Sequence, residues 1–200
     1  MIAIPDQPHM TPEEYLHWEE QQESRHEYVD GVVYARNEVY GMTGGTVPHN
    51  DIALNLYSTL RSPLRTRGCR VNVADVKVQV AAPGPFFYPD LLVSCHPHDK
   101  VALQFVGYPC LIVEVLSPAT ESYDRGAKFA HYRRLESLQE YVLISSDRVN
   151  VEVFRLNERQ KWELTPYSAG EVVQLVSIEF ECPIEVLYED VELVTEPNEE

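Results

Sequence analysis

The sequence has no long hydrophobic run, few cysteines and only half as many basic as acidic residues. No apolar segment approaches the roughly 18 residues that a membrane-spanning helix requires. Its first residues, Met1 to Asp6, lack the basic start and apolar stretch of a secretory signal peptide. These absences predict a cytoplasmic protein that does not enter a membrane.

The cysteines are scattered and form no CxxC pair. Cys69, Cys95, Cys110 and Cys182 are therefore expected to be reduced and buried rather than disulfide-bonded or zinc-bound. Residues 95–99, Cys-His-Pro-His-Asp, place two histidines two residues apart, but without a second ligand pair they are a weak sign of zinc. The sequence also lacks a nucleophile elbow and the GK[ST] element of a phosphate-binding loop.

The formal net charge of −16 is unfavourable for nucleic-acid binding, but it is unevenly distributed. Residues 1–60 hold ten acidic and two basic residues, and residues 136–200 hold sixteen acidic and four basic ones. Residues 61–135, by contrast, hold six acidic and ten basic residues. The middle segment is therefore compatible with a polyanionic substrate, and chance clustering of surface arginines is the alternative.

Two hundred residues suit one domain, which would bury about 70% of its unfolded surface. The capping box Thr11-Pro12-Glu13-Glu14 predicts a helix over 11–23, and Asp30-Gly31 predicts a hairpin over 28–34. A glycine-rich loop is expected over 41–48. A helix should then start near Pro48, with Ile52, Leu56 and Leu60 on one face, and end in a basic turn over 61–68.

The centre of the chain is rich in β-branched residues. Residues 71–80 predict a strand of uncertain register, and residues 86–95 and 110–117 predict two buried strands. A helix over 121–136, a short buried strand over 140–144 and an antiparallel meander over 149–187 are expected to follow. We therefore predict one α/β domain with a mixed sheet over residues 1–190, and a disordered acidic tail over 191–200.

A single carboxylate interrupts each of the two buried strands. Asp90 lies in Tyr-Pro-Asp-Leu-Leu-Val, and Glu114 lies in Leu-Ile-Val-Glu-Val-Leu. A buried carboxylate is costly unless it is paired or bound to a cation, and two of them on adjacent strands repel each other. A shared divalent metal, Mg²⁺ or Mn²⁺, would relieve this repulsion. The alternatives are a Pro-Asp turn at Asp90 and a salt bridge from Lys77 or an arginine to Glu114.

Lys128 follows on the next predicted helix, four residues after Asp124. From there its side chain could return to the strand end where the carboxylates project, while a solvent-exposed helical lysine is the alternative. Two acidic residues on strands and a lysine on a helix are the minimum for metal-assisted hydrolysis of a phosphodiester.

These residues resemble the PD-(D/E)XK nuclease superfamily, and in particular its restriction-endonuclease-like branch abundant in cyanobacteria. The likeness rests on Pro89-Asp90, on Glu114 to Ser117, and on Asp124 to Lys128 with Tyr132. It extends to residues 25–31, Arg-His-Glu-Tyr-Val-Asp-Gly, to His49, and to residues 140–144. The superfamily's lysine, expected two residues after the glutamate, is replaced here by Leu116, which makes Lys128 its counterpart.

The resemblance implies a restriction endonuclease-like core, a mixed sheet flanked by helices with an added C-terminal antiparallel meander. It implies a metal-dependent endonuclease acting on DNA as a homodimer. Asp90, Glu114 and the main-chain carbonyl of Val115 would hold Mg²⁺ or Mn²⁺, and Lys128 would orient a water. The resemblance also implies Glu27 as an additional metal ligand or the ligand of a second ion, with a surface glutamate beside Arg25 as the alternative. Gln79 and His49 are candidates to support the metal ligands or to contact phosphate. A binding module that has lost turnover and a hydrolase for another phosphoester are the competing readings.

Overall fold

The structure is a computed structural model that describes residues 9–36 and 46–193. The predictions for residues 1–6, for most of the glycine-rich loop and for residues 194–200 of the tail lie outside the described residues. No helix in the described part of the chain is long and apolar enough to cross a membrane.

The first elements follow their local sequence signals. Helix α1 covers Pro12–Glu19, shorter than predicted, and its capping box is formed as expected: the Thr11 hydroxyl accepts from the Glu14 amide. Strands β1 (His26–Val29) and β2 (Val32–Ala35) pair antiparallel. Asp30 and Gly31 both have positive φ, 49° and 90°, as a two-residue type I′ hairpin turn requires.

Helix α2 covers Val47–Thr66 and continues through Pro63. The predicted basic turn over 61–68 is therefore wrong for most of its length. Leu60 and Leu64, one turn apart, are both buried. Their burial offsets the hydrogen bond that a proline removes from a helix interior.

The predicted strand over 71–80 is in fact two strands. β3 (Arg70–Val73) and β4 (Lys77–Gln79) are separated by residues 74–76, of which Ala74 has a φ of 56°, and they join different sheets. The uncertain register expected from the sequence reflects this change of sheet. The remaining strands are β5 (Phe86–Phe87), β6 (Leu91–Ser94), β7 (Phe105–Val106), β8 (Leu111–Leu116), β9 (Glu140–Ser145), β10 (Asn150–Leu156), β11 (Trp162–Ser168), β12 (Val172–Leu175) and β13 (Phe180–Pro183).

The central sheet has six strands in the order β11-β10-β9-β8-β6-β3. Its β8–β9 pair is parallel and its other pairs are antiparallel, which confirms the predicted mixed α/β architecture. A second sheet has the order β2-β1-β5-β4-β7. The predicted meander divides, because β10 and β11 continue the central sheet while β12 and β13 form a separate hairpin.

Both faces of the central sheet are buried. Along β8, Leu111, Val113 and Val115 pack into the core cluster that contains the α2 leucines. Ile112 and Leu116 pack into a second cluster with Phe129 and Tyr132. Because side chains alternate along a strand, Glu114 shares the second face and points towards the segment that carries Phe129 and Tyr132.

That segment is helical but irregular. It consists of α3 (Glu121–Tyr123), a π-helical segment (Asp124–Lys128) and α4 (Phe129–Tyr132), so the helix predicted to reach residue 136 ends four residues earlier. Short 3₁₀ turns cover His98–Lys100, Val176–Ile178 and Ile184–Tyr188.

Cys69 and Cys95 form a disulfide, which corrects the prediction of four reduced cysteines. Arg70 pairs with Ser94 in the antiparallel β3–β6 ladder, so the next positions outward, 69 and 95, face each other. Cys95 is also exposed rather than buried. Cys110 and Cys182 are free, as predicted.

Candidate active site

The two candidate acids lie opposite each other on neighbouring strands. β6 and β8 pair antiparallel with Leu91 opposite Val113, so Asp90, just before β6, comes opposite Glu114. The Asp90 Oδ2 atom accepts a hydrogen bond of 2.8 Å from the Val115 amide. Strand pairing therefore brings the two carboxylates to one place, as the sequence predicts.

Lys128 is buried against the acids and is not in solvent. Its Nζ atom lies 2.8 Å from Glu114 Oε1, and its side chain is 7% exposed. The same atom lies 3.5 Å from Glu27 Oε1 and 3.5 Å from Asp124 Oδ1. The alternative of a solvated helical lysine is therefore wrong.

The π-helical segment accounts for the position of Lys128. A π-helix closes its hydrogen bonds over five residues, and such widened turns occur frequently at functional sites. Asp124 and Lys128 begin and end this segment, and both are buried on the side that faces β8. The lysine thus reaches Glu114 from the helix.

Glu114 and Lys128 perturb each other strongly. Burial, with Asp124 and Asp90 nearby, raises the pKa of Glu114 well above its ordinary value although Lys128 opposes this. Burial alone would lower the pKa of Lys128, but Glu114, Glu27 and Asp124 outweigh it and raise that pKa. The lysine is therefore protonated.

Asp90 has its own cationic partners. Arg36 Nη2 lies 3.2 Å from Asp90 Oδ1, and His49 Nε2 lies 3.1 Å from Asp90 Oδ2. Burial would raise the pKa of Asp90, but His49, Arg36 and Lys128 outweigh it and hold that pKa below its ordinary value. Burial lowers the pKa of His49. The hydrogen bond and the charge of Asp90 outweigh burial, so the pKa of His49 is raised overall. Asp90 is therefore ionised.

Two tyrosines also contact the acidic residues. Tyr132 donates to Glu114 Oε1 at 3.1 Å, and Tyr123 donates to Glu27 Oε2 at 3.0 Å. Glu27 comes from β1 of the second sheet, so the cluster joins both sheets to the helical segment. We refer to Glu27, Asp90, Glu114, Asp124 and Lys128 as the acidic cluster.

Two residues considered from the sequence, Gln79 and Lys77, have other partners in the structure. Gln79 donates from its side-chain amide to the Pro83 carbonyl, in the turn after β4. Lys77 lies over the ring of Tyr88, 5.8 Å from its centroid, and the cation beside Glu114 is Lys128 rather than Lys77. Arg36 was not predicted as a site residue, because it belongs to no sequence motif.

The cluster fits a divalent cation by its donor set. In residues 9–36 and 46–193, no three histidine, cysteine, aspartate or glutamate side chains form a ready-made metal site. However, Mg²⁺ is commonly held by one or two carboxylates, with water and substrate phosphate as further ligands. Asp90 and Glu114 supply such a pair on neighbouring strands.

Comparisons with known proteins agree on a family. The family model Uma2, described as a putative restriction endonuclease, matches residues 12–185. The uncharacterized protein slr1290 of Synechocystis sp. is 39% identical over 181 residues, which cover 90% of this chain and 92% of that protein. A second Synechocystis protein, sll1609, is 30% identical over 167 residues, covering 82% of this chain and 91% of its own length.

A solved structure has the same fold. It is the crystal structure of a putative nuclease belonging to DUF820 from Anabaena variabilis. The TM-score is 0.67 at 19% sequence identity, and the match covers 90% of this chain and 97% of that one. The restriction endonuclease-like fold expected from the sequence is thus confirmed.

Proposed function

Because the chain belongs to the Uma2 family of putative restriction endonucleases, we propose that it is a metal-dependent endonuclease that hydrolyses phosphodiester bonds of DNA. Asp90 and Glu114, with the main-chain carbonyl of Val115, would hold Mg²⁺ or Mn²⁺. When bound, the cation would lower the pKa of a water and polarise the phosphate.

The side chains of this chain have separate roles in the proposed reaction. Lys128, protonated and 2.8 Å from Glu114, offsets negative charge that develops on the phosphate and orients the attacking water. Glu27 and Asp124 fix the ammonium group from two further sides, at 3.5 Å each. His49 holds Asp90 in place through Oδ2.

The position of Lys128 is the observation that supports this proposal most. The lysine of the superfamily's motif is absent from the strand, where Leu116 is buried. A lysine from the helical segment reaches Glu114 instead. Two acidic residues, Asp90 and Glu114, therefore lie near a lysine, although the spacing of these residues in the sequence differs from that of the superfamily's motif.

The test is cleavage of linear, supercoiled, branched and single-stranded DNA with Mg²⁺, Mn²⁺ or EDTA. We expect cleavage that EDTA abolishes and that Asp90→Asn or Glu114→Gln reduces at least about 100-fold. Glu163→Gln, an exposed carboxylate on β11, is the matched control and should cleave normally. A folded Asp90→Asn/Glu114→Gln double variant that still cleaves would refute the assignment.

One observation favours a second function, a DNA-binding module without turnover. Asp90 and Glu114 are each contacted by a cationic side chain of the protein, Arg36 and Lys128. If these pairs keep divalent cations out, the protein would bind DNA without cutting it. Binding of the same DNA panel with no cleavage in Mg²⁺ or Mn²⁺ would identify this function. Homodimer formation remains a prediction, and sedimentation of the purified protein would test it.

A further inference from the structure

Arg36 occupies a position between the acidic cluster and solvent. Its guanidinium donates to Asp90 Oδ1 at 3.2 Å, and its side chain is 23% exposed where that of Asp90 is 12% exposed. A guanidinium has five N–H donors in a planar fork. Within the described residues, this side chain makes one hydrogen bond, to Asp90. Donors therefore remain for a ligand that approaches from solvent.

The guanidinium lies over a rigid aromatic surface. Its central carbon is 5.7 Å from the centroid of the Tyr88 ring. Tyr88 is buried, and its hydroxyl donates to Glu19 Oε1 at 2.7 Å. Glu19 is fixed in turn by His26 Nδ1 at 3.0 Å. Because this platform is held by buried contacts, Arg36 would lose little further freedom on binding a ligand.

The charge and shape of the Arg36 guanidinium define the class of that ligand. An arginine side chain carries its positive charge at every physiological pH. A planar, permanently charged guanidinium that is partly exposed suits a phosphate, because a phosphate can accept two parallel N–H bonds from it.

We propose that Arg36 binds a phosphate of the DNA backbone next to the acidic cluster, and that Asp90 holds it there before DNA arrives. This inference rests on the proposed nuclease function, because it takes the substrate to be DNA. It adds a substrate-binding residue that no sequence motif marks. It also gives the contact between Arg36 and Asp90 two opposing effects. Asp90 orients the guanidinium, and the guanidinium competes with a cation for Asp90.

Two measurements separate these effects. The first is fluorescence anisotropy of a fluorescein-labelled DNA duplex, with Ca²⁺ in place of Mg²⁺ and a gel to verify that the duplex is intact. Arg36→Met should weaken binding about tenfold or more, and Arg36→Lys should recover only part of the loss. Arg159→Met removes the same charge from the exposed β10–β11 turn, and it should change binding by no more than about twofold.

The second measurement is calorimetric titration with Mn²⁺ without DNA. Arg36→Met should bind Mn²⁺ at least as tightly as the wild type, because a competing charge beside Asp90 is gone. Weaker Mn²⁺ binding would show that Arg36 merely supports Asp90, and it would overturn the proposal. DNA binding equal to that of Arg159→Met would also overturn it. If either result is obtained and the wild-type protein cuts DNA, only the proposed role of Arg36 is refuted and the nuclease function stands. Wild-type protein that neither binds nor cuts DNA contradicts the nuclease function as well.

Discussion

Replacing Lys128 by methionine should destabilise the protein strongly. The change keeps most of the length of the side chain but removes the ammonium group shared by Glu114, Glu27 and Asp124, whose side chains are 2%, 6% and 6% exposed. Removing one partner of a buried ion pair typically costs about 3–5 kcal/mol because the other charge stays buried and unpaired. With three carboxylates affected, we expect a loss of about 4 kcal/mol or more, a large part of a typical domain's stability.

Urea unfolding followed by circular dichroism measures this loss. Lys161→Met removes an exposed lysine and should change the free energy of unfolding by less than about 0.5 kcal/mol. Adding Glu114→Gln to Lys128→Met removes one unpaired charge and should restore about 1–2 kcal/mol. If Lys128→Met unfolds like Lys161→Met, Lys128 is not held between carboxylates and the geometry of the cluster is wrong.

Three further variants test other contacts. Tyr132→Phe removes the donor to Glu114 and should lower the free energy of urea unfolding by about 1.5–3 kcal/mol; an unchanged value would contradict the contact. Glu140→Gln weakens the hydrogen bonds that the buried Glu140 carboxylate accepts from two amides of the 3₁₀ turn at Val176–Ile178, and it should lower the free energy of unfolding by about 1.5–3 kcal/mol while cleavage per folded molecule stays normal. Replacing Cys69 and Cys95 by serine removes a disulfide between residues 26 positions apart, and it should lower the free energy of unfolding by about 3–4 kcal/mol. Thiol titration of denatured, unreduced wild-type protein should count two thiols, and four would exclude the disulfide.

Features that depend on neighbouring residues were predictable from the sequence. The capping box of α1 and the Asp30-Gly31 turn each involve a few adjacent residues, and both are formed. The position of Glu114 on a buried strand was also predictable, because an apolar run around one acid identifies it. The contacts of Glu114 were not predictable, because they depend on which helix packs against its face of the sheet.

Features that depend on pairing between distant segments were not predictable. The disulfide follows from the β3–β6 register, which no local pattern of Cys69 or Cys95 encodes. The division of residues 71–80 into two strands follows from the left-handed Ala74 and from the partners that each half finds in a different sheet. Arg36 reaches Asp90 over 54 positions of sequence, so nothing near it signals its place in the site.

The charges of the site alter the reason for expecting a metal. From the sequence, a cation was expected because Asp90 and Glu114 would repel each other on adjacent strands, whereas in the structure Arg36 and Lys128 contact them. The acidic cluster nevertheless has four carboxylates, and among the described residues Arg36 and Lys128 are the permanent cations that contact them. Burial raises the pKa of both Glu114 and Asp124, Lys128 opposes this increase, and neighbouring carboxylates add to it. The proposed divalent cation therefore rests on the number of carboxylates in the acidic cluster rather than on the Asp90–Glu114 pair alone.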